Sequence, residues 1–143
     1  MQAKDSIVIG IDFDGTCVTH TFPEIGEDIG AVPVLRKLVE AEHKLILFTM
    51  RCDDQREQVI NNHQFNGGDF LTQAVNWFKQ NDIPLFGIQE NPTQHHWTTS
   101  PKAYCNLYID DAALGIPLVR PEGQRPYVDW VKVEELLKNE GIL

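Results

Sequence analysis

An α/β fold on a mostly parallel sheet is predicted by three features of the sequence. Short apolar runs rich in Ile, Leu and Val, SIVIGID at 6–12 and KLILFTM at 44–50, have the continuous hydrophobicity of strands covered on both faces. Stretches with helical spacing separate these runs from LFGIQ (85–89), and NLYID (106–110) follows later. The order strand, helix, strand, helix, strand, strand implies right-handed crossovers. These gather the carboxyl ends of the parallel strands along one edge, where ligands of open α/β sheets bind.

The first strand runs into two aspartates, Asp12 and Asp14, in IDFDGTCVTH (11–20). After it, Val32, Leu35, Leu38 and Val39 share one face of a helix. KLILFTM then ends in a Thr at 49. The polar stretch DDQREQVINNHQFNGGDF (53–70), broken at Gly67-Gly68, predicts a helix, a loop and then a second amphipathic helix with Leu71, Val75 and Phe78 on one face. It is an elaboration placed to lie over the site. The closing DWVKVEELLKNEG (129–141) predicts a helix with Asp129 as N-cap and Gly141 as its stop, presenting Val133, Leu136 and Leu137 to the core.

With 143 residues and 42% hydrophobic composition, the chain can bury one sizeable core, so residues 1–143 are expected to form a single domain. A net charge of -9 argues against a surface built to neutralise the many phosphates of a nucleic acid, and small anionic ligands would then need local cationic help. Cys17, Cys52 and Cys105 form no disulfide framework, which fits a reducing, cytoplasmic compartment. No signal-like or membrane-spanning run is present, so no membrane partner is expected.

Asp12 and Asp14 fall on the same side of a continuing strand, where two anions repel unless a positive group lies between them or one takes a proton. Thr49, Asp110 and Asp111 close later strands at the same edge. Lys102, in SPKAYCNLYIDD, is close enough in sequence to fold back towards them. Arg51, two residues past Thr49, is a candidate for holding a substrate's second anionic group. A calcium loop does not fit, since Cys17, Val18 and Thr19 stand where further oxygen ligands are needed. Cys17-x-x-His20 and His95-His96 lack the second pair of a structural zinc site; His20 and the loop ENPTQHHWTTS (90–100) are better placed to line a pocket. Trp97 in that loop either covers substrate or packs on the surface.

IDFDGT after one strand, Thr49 closing another, Lys102, and YIDD after a third together resemble the haloacid dehalogenase superfamily, over nearly the whole chain. The resemblance implies a Rossmann-like three-layer fold with a minimal cap, and phosphoryl transfer through an aspartyl-phosphate with Mg2+ as cofactor. Asp12 would be the nucleophile, a carboxylate ionised at neutral pH that needs no activating base. Asp14 would be general acid and base. Thr49 would offer its hydroxyl and amide, and Lys102 its charge, to the phosphoryl group. Asp12, the backbone carbonyl of Asp14, and Asp110 would hold the metal, with Asp111 in direct or water-mediated support. An intact second aspartate favours a phosphatase over a dehalogenase. The cap segments, 17–28 and 90–101, are short, leaving an open site that serves bulky substrates or that a neighbouring subunit of a homo-oligomer, or residues 53–70, can close. The expected activity is a magnesium-dependent hydrolysis of small phosphorylated metabolites. The alternatives are a nucleic-acid end phosphatase and a non-catalytic phosphate- or metal-binding regulatory module.

Overall fold

The structure is a computed structural model that describes residues 5–54, 58–60, 63–65 and 68–143. In chain order it contains β1 (Val8–Ile11), α1 (Ala31–Glu40), β2 (Lys44–Leu47), β3 (Asp53–Asp54), β4 (Gln58–Ile60), β5 (His63–Phe65), β6 (Gly68–Asp69), α2 (Phe70–Gln80), β7 (Gly87–Ile88), β8 (Leu107–Ile109), β9 (Leu118–Val119), β10 (Tyr127–Val128) and α3 (Trp130–Asn139). Four strands make a parallel sheet in the order β7-β2-β1-β8, so the fold is α/β and Rossmann-like. Ile9, Gly10 and Ile11 lie opposite Leu45, Ile46 and Leu47 on one side and Leu107, Tyr108 and Ile109 on the other. No helix of the described residues is long and apolar enough to cross a membrane.

Strand alternation divides these residues between two faces. Ile9, Ile11, Leu45, Leu47 and Ile109 join one buried cluster with Leu35 and Leu38 of α1, Trp77 and Phe78 of α2, and Val133 and Leu137 of α3. All three helices therefore pack on one face. Gly10, Ile46 and Tyr108 point to the other, where the connection from β7 to β8 forms turns but no helix. Gly10 is required there, because a Cβ would stand 2.8 Å from the Tyr108 ring. The expected three-layer arrangement is thus two regular layers and an irregular third. The reason is visible in residues 89–106: the buried Asn91 and Gln94 side chains bond the backbone at Tyr104 (3.0 Å and 2.7 Å) and at Lys102 (3.0 Å), satisfying polar groups that a helix would otherwise pair.

The helix ends follow local chemistry. Asp28 Oδ1 accepts from the amides of Ala31 (3.0 Å) and Val32 (3.4 Å) at the start of α1. Asp129 caps α3 by accepting from Lys132 N, and Gly141, at φ 76°, ends it while Ile142 N bonds Leu137 O. Val133 and Leu137 are buried, but Leu136 is 48% exposed, outside the core face expected for it. The helix predicted at the start of 53–70 is instead antiparallel: β3 pairs with β6, and β4 with β5. The β-branched pair Val59-Ile60 favours a strand over a helix. The part of the predicted loop at 66–67, and residues 55–57 and 61–62, lie outside the described residues.

Candidate active site at the carboxyl edge of the sheet

Beyond β1 the chain keeps its pairing for one more residue, Asp12 N donating to Ile109 O at 3.0 Å. Phe13 is fully buried against Trp77 and Phe78, which fixes this stretch in place. A tight turn follows, with the amides of Thr16 and Cys17 on Phe13 O. Gly15 sits at φ 80°, and a Cβ there would lie 2.1 Å from His20 Nε2, so both conformation and space demand glycine. From the far end of the chain, Val128 N donates to Gly15 O (3.0 Å) and Trp130 Nε1 to Thr16 O (2.6 Å), strapping the turn from outside.

Thr16, fully buried, joins the two halves of the site. Its hydroxyl donates to Asp12 Oδ2 at 2.8 Å and accepts from Asp111 N at 3.0 Å. Sequence reading gave Thr16 no task, although its place four residues after Asp12 and just past a glycine turn was the available signal. Asp12, Asp110 and Asp111 each bring a carboxylate oxygen to a point where all lie within 4.8 Å of one another. Burial is the main force on Asp12, pushing its carboxyl up to about 8; the Thr16 hydroxyl opposes this, while Asp110 and Asp111 add to it. Burial also raises Asp110, with Asp111 adding to it and the Ala112 amide opposing. Without a cation, burial and the neighbouring carboxyls thus favour the protonated form of Asp12.

Asp14 stands outside that cluster, because Arg51 holds it. Arg51 Nε donates to Asp14 Oδ2 and Nη2 to Asp14 Oδ1, both at 2.8 Å, a bidentate fork on a side chain 1% exposed. Its other donors go to the carbonyls of Pro23 (3.2 Å), Phe70 (3.3 Å) and Glu24 (2.8 Å). The guanidinium is flanked by the Phe13 and Phe22 rings at 5.1 and 5.0 Å. A guanidinium has five N–H groups and all five are used, so Arg51 has none to offer a substrate anion. The role expected for it does not fit this geometry.

Thr49 is at the expected edge, but its amide donates to Gln89 Oε1 at 2.8 Å and Gln89 Nε2 donates back to Thr49 O at 2.6 Å. The amide is engaged; the hydroxyl accepts from Arg51 N at 3.1 Å and keeps its own proton to donate. Gln89 adopts φ 64°, a conformation no sequence pattern announced. Lys102 does not reach the carboxylates: its Nζ lies 5.8 Å from the centre of the Tyr108 ring, with no carboxylate within 4 Å among the described residues. His20 Nε2 approaches Asp111 Oδ2 at 3.2 Å and Pro126 O at 3.3 Å. His20 also borders a cleft of about 450 Å3 shared with Thr21, Arg125 and Tyr127. Trp97 is 58% exposed and packs edge-on against Tyr104 beside Lys102.

Two comparisons are silent: no protein-family model matches the chain, and no curated protein does. The chain is similar to the solved structure of a conserved protein from Bacteroides thetaiotaomicron, at 29% identity over 95% of this chain and 93% of that one, with a TM-score of 0.68. The likeness extends the α/β architecture to a second sequence.

Proposed function

We propose that the chain is a phosphomonoester hydrolase of the haloacid dehalogenase type that depends on Mg2+ and acts on small phosphorylated metabolites. The observation that carries this reading is the meeting of Asp12, Asp110 and Asp111 within 4.8 Å at the carboxyl edge of a parallel sheet. The donor set fits a hard divalent cation: it is all oxygen, it is anionic, and burial and mutual repulsion hold Asp12 protonated until a positive charge arrives. The Asp14 carbonyl, which accepts no hydrogen bond among the described residues, is a further oxygen at the same turn. When bound, the cation would supply charge to ionise Asp12 and to lessen its repulsion of a phosphate.

In this reading Asp12 Oδ1 attacks phosphorus, since Oδ2 is held by Thr16. The Thr49 hydroxyl donates to a phosphoryl oxygen. Lys102 turns from Tyr108 towards the phosphoryl group; Tyr108 and Asp110 are two residues apart on one sheet face, about 6.6 Å, within the compass of a lysine stem. His20 fixes Asp111 from the opposite side. The test is release of phosphate from a panel of small phosphomonoesters with Mg2+ and with chelator. Metal-dependent turnover that vanishes in Asp12→Asn, in protein that still melts cooperatively, is the expected result. Undiminished turnover by Asp12→Asn, verified free of deamidation, refutes the covalent route.

A further inference from the structure

We infer that Arg51 is the positioning residue for Asp14, orienting its carboxyl for proton transfer at the leaving oxygen; this rests on the phosphatase reading above. The contact is built rather than incidental. Both carboxylate oxygens of Asp14 are met at 2.8 Å by the two parallel N–H groups of a guanidinium that is itself 1% exposed, while the Asp14 side chain stays 20% exposed. The three remaining donors bind the carbonyls of Pro23, Glu24 and Phe70, so the fork is anchored to the segment after the first strand and to the start of α2. Two aromatic faces fix its plane. A carboxylate has four lone-pair sites, and the fork takes one on each oxygen, so one on each stays free for a proton.

The steps this orientation serves balance as follows. Asp12 forms a bond to phosphorus, the ester P–O bond breaks, and its electron pair leaves on the alcohol oxygen, which takes the proton from Asp14. Water then bonds to phosphorus and gives a proton to Asp14, while the P–O bond to Asp12 breaks and restores the carboxylate. Proton donation matters greatly for an alkyl alcohol and hardly at all for nitrophenolate, a stable anion. A residue that only holds the fold together would affect both esters alike.

The experiment compares kcat/KM for an alkyl phosphate and for 4-nitrophenyl phosphate in wild type, Arg51→Lys, Asp14→Asn and the double variant, each checked for cooperative melting. Lysine keeps the charge and loses the fork. Arg51→Lys should lose about 100-fold on the alkyl ester and less than about threefold on the nitrophenyl ester, the split expected for a general acid. The double variant should be no worse on the alkyl ester than Asp14→Asn alone, because the two act as one unit. Equal losses on both esters, no loss on either, or multiplying losses in the double variant overturn the inference while leaving the phosphatase reading standing. Absence of turnover of both esters by wild type overturns the reading, and the inference with it.

Discussion

The metal-free protein should become less stable as pH rises from about 4 to about 8, and Mg2+ should cancel that loss. In the unfolded chain Asp12 releases its proton near 3.8; in the folded chain burial and the neighbouring carboxyls hold it until about 8. Between those values the folded state carries a proton that the unfolded state has given up, so deprotonation draws the equilibrium towards unfolding. The groups facing Asp12 are Thr16, Asp110 and Asp111, with His20 behind Asp111. Two full charges at the 4.8 Å that bounds the cluster repel by roughly 3.5 kcal/mol at an effective dielectric of about 20. Cation binding at 100 times its dissociation constant contributes about 2.7 kcal/mol, enough to raise the melting temperature by roughly 8 °C in a chain of this size. Calorimetric melts in chelator and in saturating Mg2+, at about pH 5 and about pH 8.5, make the comparison; the gain should be greater at the higher pH, where no proton competes. Asp110→Asn should lessen but not remove the metal-free pH dependence, because burial of Asp12 remains, and should abolish the gain. An equal gain at both pH values, or none at either, refutes the electrostatic reasoning.

Thr16→Val removes the donor to Asp12 and the acceptor for Asp111 N at a fully buried position, and should cost about 1–3 kcal/mol by denaturant melting while lowering kcat more than KM. With a net charge of -9 and Arg51 saturated, long polyanions meet repulsion, so kcat/KM at low salt should favour small phosphomonoesters over 3′- or 5′-phosphorylated oligonucleotides. A tenfold preference for an oligonucleotide would reverse that assignment.

What could be read from the sequence was whatever short-range order decides. IDFDGT encodes an apolar strand, a buried Phe13 and a glycine turn within a few residues, so local pattern put Asp12 and Asp14 just past the first strand, as it gave the cap and stop of α3, but it did not hold Asp14's departure from the cluster to Arg51. Arg51 was located at the right edge but given the wrong partner. Its contact with Asp14 spans 37 positions and depends on how two strands lie side by side, information that no spacing rule contains. Gln89 was missed for the same reason, its bonds to Thr49 spanning 40 positions. The segment 53–70 misled because polarity hides periodicity: with few apolar residues to alternate, the choice between helix and hairpin passes to β-branched residues such as Val59-Ile60. Lys102 was expected at the carboxylates from its nearness to YIDD in sequence and its place in the order of the resemblance, whereas in the structure its ammonium lies over the Tyr108 ring.

On the phosphatase reading proposed above, the distribution of cations gives this edge a use for an external one. Of the positive side chains near it, Arg51 is spent entirely on Asp14 and three carbonyls, and Lys102 rests on an aromatic ring. His20 meets only the outer carboxylate. Among the described residues, Asp12 and Asp110 thus have no cationic side chain within 4 Å, and a phosphate dianion approaching the cluster meets repulsion. Its binding and that of a divalent cation must therefore favour one another by the same factor, as linkage requires. Arg51 matters to that balance by what it withholds: with all five N–H groups committed to Asp14 and three carbonyls, it has none left for the incoming ester.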